Sequence, residues 1–273
     1  SNKGHLISVV DVSAGSITAV IPNIRKRAEK AIPLTVGEGG QFANLPAVAS
    51  FISTISANYA GETSTLNGTF PHFEVIIVGN IWAGSTPVPR FTTVGLTIRG
   101  INERVSLDLG TLVSGIEFNV KFLELRDFRF SPPTGLPSFV NSSGLGNTVE
   151  RVRLKNVIQT GGSLETVVAH DVFEAPISEL IVEECSFNTR SLSSCTGGAG
   201  VGIPVVRVEN SSFSYAGAGA AAPRFVYSAL GPNNWNGTSF YMSNCKVTGS
   251  WGGSTAWTGG HSFLVASNVA SNI

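Results

Sequence analysis

Apolar and polar residues alternate with period two along most of the chain, and the alternation comes in copies. The clearest copy runs from Pro204 to Tyr215. With Asn210 as its anchor, apolar residues stand four and two positions earlier (Val206, Val208) and an aromatic three positions later (Phe213). The frame returns 26 residues earlier at Leu180, Val182, Glu184 and Phe187, and before that at Val152, Leu154 and Asn156, where Gln159 breaks the last position. It is present at Leu123, Leu125, Asp127 and Phe130, then forward at Phe240, Met242, Asn244 and Val247, and at Leu264, Ala266 and Asn268. Weaker copies read Leu96, Ile98, Gly100 and Ile76, Val78, Asn80.

One half-buried strand per repeat of roughly 20 to 35 residues is the signature of a solenoid. The gaps carry Gly, Ser, Asn and Pro instead of a helical period, and the dense leucine frame of a leucine-rich repeat is missing. The pattern therefore predicts an all-β parallel β-helix of seven or eight coils, each stacked about 4.8 Å above the last, with equal positions in columns. In that arrangement the anchor residues Asn80, Asp127, Asn156, Glu184, Asn210, Asn244 and Asn268 form a ladder at one turn. Asn156, Asn210 and Asn244 are expected to point inward and bond to one another and to turn backbone.

Residues 1–33 read as a stem or linker. They hold Val9, Val10, Val12, Ile17, Ala19 and Ile21 in one or two short strands, then a charged cluster from Ile24 to Lys30 that fits a solvated linker better than a nucleic-acid contact. Residues 34–273 form the β-helix, with 34–60 as its N-terminal cap. After a glycine turn at Gly39 and Gly40, Leu45, Val48, Phe51, Ile52 and Ile55 share one helical face. Asn44 is the expected N-cap, and Pro46 falls in the first turn, where its missing N–H costs nothing. Such a helix plugs the open end of a solenoid and hides its core and strand edges.

Val36, Gly40, Phe42, Leu45, Ala47 and Val48 resemble the opening of pectinesterase-type β-helices. The resemblance implies the right-handed parallel β-helix of the pectin-lyase-like superfamily, which serves polysaccharide-degrading enzymes and phage tail spikes. It covers the cap closely and the coils only as a pattern. The chain lacks the Gly-x-Val-Asp-Phe-Ile-Phe-Gly and Leu-Gly-Arg-Pro-Trp stretches of the esterases, the Trp-Ile-Asp-His of the lyases and the paired aspartates of the polygalacturonases. Gly259-Gly260-His261 only faintly resembles a glycosidase histidine motif. No catalytic residue carries over, and fold alone does not specify chemistry.

The 18 basic and 18 acidic side chains cancel, which leaves no electrostatic case for nucleic acid or an anionic membrane. No run of 18 apolar residues is present, so no membrane-inserting helix is expected. Ser1-Asn2 reads as a cleavage scar or a cut inside a longer protein, so a missing export signal carries little. Cys185, Cys195 and Cys245 are an odd count, which argues against a disulfide framework. Cys185 and Cys245 fall in one column two rungs apart, beyond disulfide reach. A Cys185–Cys195 bridge across a loop and three buried, reduced thiols both stay open. His5, His72, His170 and His261 make no ligand spacing with the cysteines, so no metal and no cofactor is expected.

The outward positions of the frame supply the candidate chemistry. One column reads Arg126, Lys155, Glu183, Glu209, Ser243 and the other Glu124, Arg153, Ile181, Arg207, Tyr241. Glu183 and Glu209 are one rung apart, the separation of a retaining-glycosidase pair. They are the candidate catalytic residues, unless neighbours such as Lys155 and Arg207 neutralise them as part of a solvated strand face. Arg153, Arg207, Trp235, Tyr241, Trp251 and Trp257 are the candidate sugar-binding residues, because flat aromatic faces and hydrogen-bonding groups are what carbohydrates need, unless the tryptophans instead pack between coils. Two functions follow as expectations. The first is a virion surface protein, a tail spike or fibre segment that binds and depolymerises or merely binds a bacterial polysaccharide. It would act at the virion surface or outside the cell, usually as a homotrimer in that family. The second is a secreted polysaccharide-degrading enzyme.

Overall fold

The computed structural model describes residues 8–13, 16–22, 31–60, 72–82, 88–110, 112–142, 149–171, 177–196, 203–215, 224–228, 239–249, 263–267 and 270–272. The chain begins with β1 (Ser8–Ser13) and β2 (Ser16–Pro22), which pair antiparallel as a sheet of their own. Then come β3 (Ile32–Val36), α1 (Leu45–Ala60), β4 (His72–Ile77), β5 (Ile81–Trp82) and β6 (Arg90–Gly100). The middle holds β7 (Ser106–Asp108), β8 (Ile116–Ser131), β9 (Thr134–Asn141), β10 (Val149–Gln159) and β11 (Ser163–Asp171). It continues with β12 (Ile177–Glu183), β13 (Ser186–Thr196), β14 (Val205–Glu209) and β15 (Ser212–Tyr215). The last strands are β16 (Arg224–Ser228), β17 (Ser239–Ser243), β18 (Lys246–Gly249), β19 (Phe263–Ser267) and β20 (Ala270–Asn272).

Every pairing from β3 onward is parallel, and the strands form a β-helix of three files around one core. The first file is β3, β4, β6, β8, β10, β12, β14, β17 and β19, nine strands among the described residues. The second runs β5, β7, β8, β10, β13, β15, β18, β20, and the third runs from the first halves of β6 and β8 through β9, β11, β13 and β16. Strands β6, β10 and β13 are long because each turns a corner and serves two files, and β8, the longest, turns two corners and serves all three. Period-two alternation puts Leu34, Val75, Ile98, Leu125, Leu154, Val182, Val208 and Met242 in one inward column, all buried. The expected core residues Leu180, Val182, Val206 and Val208 are fully buried.

Two expectations about the frame need correction. The copy at Ile76, Val78 and Asn80 is three residues out of register: Phe73, Val75 and Ile77 are the buried set, and Ile77, not Asn80, pairs with Gly100. A continuous apolar run, Val75 to Val78, hid the phase. The anchor column is real from Asp127 to Asn244, with Asn268 outside the described residues, yet it is not an inward ladder. Asn210 and Asn244 are exposed and Asn156 is half-buried. What Asp127, Asn156, Glu184, Asn210 and Asn244 share is backbone: their φ values are 60, 50, 56, 50 and 51°. Asn and Asp tolerate this left-handed conformation best among residues with a side chain, so the column was selected for the bend. One rung does carry a side-chain hydrogen bond, donated by Asn156 Nδ2 to Asp127 Oδ1 at 3.2 Å.

Gln159 also has a physical account. It takes the column position of Phe130 in register, and its side chain substitutes for a rung of backbone bonding. Its Nε2 donates to Gly161 O at 3.0 Å, and its Oε1 accepts from Asn188 N at 3.0 Å. Phe130 and Phe187 meet at 6.1 Å between centroids, and Phe139 stacks on Phe130 at 4.1 Å.

The cap forms as the pattern indicates. Asn44 Oδ1 accepts from Ala47 N at 3.0 Å, and Leu45, Val48, Ala49, Ile52 and Ile55 are buried. Phe51 departs from that face: it is exposed and leans on Phe42 at 5.2 Å. The helix also closes an edge. The first half of β6 pairs with β8 on one side, and on the other Ser53 Oγ donates to Arg90 O and accepts from Thr92 N, both at 3.2 Å. Ser53→Ala is expected to leave both groups unpaired and cost about 1–3 kcal/mol. An unchanged chemical-denaturation midpoint would show that the edge is closed by other means.

Candidate functional site

The site is built on the outward face of the first file, where strand alternation leaves every second residue in solvent. The two outward columns stand in the expected order. Arg126, Lys155, Glu183, Glu209 and Ser243 are register partners along β8, β10, β12, β14 and β17, and so are Glu124, Arg153, Ile181, Arg207 and Tyr241. A third column, formed by Phe122, Arg151, Glu179, Val205 and Ser239, was missed because the anchored frame started one position too late to include it.

Ion pairs, some within a column and some diagonal between columns, tie these residues into two chains. In the first, Arg99 Nε lies 2.7 Å from Glu74, whose carboxylate also lies 3.6 Å from Arg126 Nη2. Arg126 meets Asp127 at 3.0 Å and Glu124 at 3.9 Å. Glu124 passes the chain to Arg153 at 3.5 Å, and Arg153 grips Glu183 Oε2 with Nη2 at 2.7 Å and Nε at 3.0 Å. The Glu183 hydrogen bond raises the Arg153 guanidinium above its ordinary value. In the second chain, Glu179 accepts from Arg151 Nε at 2.6 Å on one oxygen and faces Arg207 Nε at 3.6 Å on the other. Arg207 in turn lies over the Tyr241 ring, 5.0 Å from its centroid.

Glu183 and Glu209 are adjacent register partners. The neutralising partner of Glu183 is Arg153, whereas Arg207 turns to Glu179. Arg153, Arg207 and Tyr241 therefore come together on one sheet face. Trp235, Trp251 and Trp257 lie outside the described residues.

Other polar groups have structural employment. His72 Nε2 is 2.8 Å from Thr97 Oγ1 and the ring lies over Gly95, where an added Cβ would sit 2.5 Å from Nδ1. Partial burial there lowers the imidazole below its ordinary range, against the opposing pull of Glu124 and Glu74. Cys185 and Cys245 are free, buried thiols in one column with Ser211 between them, so no Cys185–Cys195 bridge forms. Burial pushes the Cys185 thiol up to about 12, the state of an inert packing residue. The side chain of Cys195 is outside the described residues. Among the described residues no group of His, Cys, Asp and Glu is placed to hold a metal ion, and no helix is long and apolar enough to cross a membrane. No protein-family model matches the chain, and neither a curated protein nor a solved structure matches it.

Proposed function

We propose that the chain is a virion surface segment of the tail spike or fibre type, of pectin-lyase-like kind, and that it binds a bacterial cell-surface polysaccharide. The observation that carries this reading is the outward face of the first file. It offers guanidinium and carboxylate groups at rung spacing on a rigid sheet, next to a Tyr241 ring that is 40% exposed. Charged and hydroxyl-matching groups fixed by a scaffold, with one aromatic surface, are what an extended sugar polymer requires. Binding of the purified chain to an array of microbial polysaccharides tests it, and no binding to any polymer on the array defeats it.

The adjacency of Glu183 and Glu209 supports a second reading, a polysaccharide hydrolase using them as a carboxylate pair. In a reducing-sugar assay, Glu183→Gln and Glu209→Gln are then expected each to abolish cleavage with little change in melting temperature. Activity that survives both changes places the chemistry elsewhere. Because Arg153 already holds Glu183, the arrangement favours binding over hydrolysis.

The same reading includes a homotrimer. Only 36 of 273 residues are charged, so the lateral surface away from the first file is weakly polar and gains from side-by-side packing. Light scattering at micromolar concentration is expected to give three times the chain mass. A mass near 28.5 kDa that does not rise with concentration rejects the trimer.

A further inference from the structure

We draw no further inference here: the strongest candidate, the antiparallel β1–β2 hairpin, whose register sets the pair Val9–Ile21 on one face and Val10–Val20 on the other, carries nothing, because nothing in the structure shows what covers it and a cover of second copies restates the homotrimer already proposed.

Discussion

Val208→Asp is expected to unfold the middle of the solenoid. Val208 is fully buried on β14, between Val182 on β12 and Met242 on β17, and no cation faces it from the inward column. The change removes about 1.5–3 kcal/mol of side-chain burial and strands a carboxylate in an apolar column, so a total of at least about 4 kcal/mol is expected. In a solenoid each rung contacts only its neighbours, so the damage is local at first. Hydrogen exchange followed by mass spectrometry is expected to show lost protection from β12 to β17 while β4, β6 and β8 stay protected. Uniform loss along the chain would show instead that the coils fold as one cooperative unit.

Gly100→Ala is also expected to be strongly damaging, through contact and not through backbone angle. A Cβ on Gly100 would lie 2.1 Å from Asp127 O and 2.5 Å from both Asn102 O and Val105 Cγ2. Two of those three atoms are backbone and cannot step aside, so a cost of about 3 kcal/mol is expected. Gly135→Ala separates the two causes. Gly135 has φ of 75° and nothing within 4 Å of its added Cβ, so strain of about 1–2 kcal/mol is all it meets. Thermal melts that rank Gly135→Ala as the worse of the pair would refute the close-packing account of the Gly100 corner.

Much of this architecture was legible in the residues because a strand has an exact period. Val206 and Val208, Leu180 and Val182, and Leu123 and Leu125 alternate cleanly, and each lies where that alternation puts it, buried on the first file. Where the alternation lapses, legibility lapses too: Val75-Ile76-Ile77-Val78 is apolar on both faces, and only the pairing of Val75 with Ile98 and of Ile77 with Gly100 fixes its phase. The anchor was visible as a recurrent Asn or Asp, but composition cannot separate a residue chosen for its amide from one chosen for its φ. The candidate site was legible as columns and illegible as contacts. Arg153 reaches straight along its column to Glu124 and diagonally to Glu183, and Arg207 reaches diagonally back to Glu179, choices among neighbours that rotamers make and spacing does not. Ser53 had no signal at all, since its role depends on where the helix lands against β6.

The left-handed corner separates what must be constant in this chain from what is free to vary. Successive corner residues Asp127, Asn156, Glu184, Asn210 and Asn244 are 29, 28, 26 and 34 residues apart, yet each resets the backbone to the same angle. The strand before each corner keeps its residue-for-residue register with the rung below, so the variable length is absorbed on the rest of the circuit. A corner of this kind acts as a fixed hinge for sequence length. Insertions on the far side of the coil can lengthen one circuit without shifting the columns of the next, which makes the arcs opposite the corner the natural place for new loops to be grafted by evolution or by design.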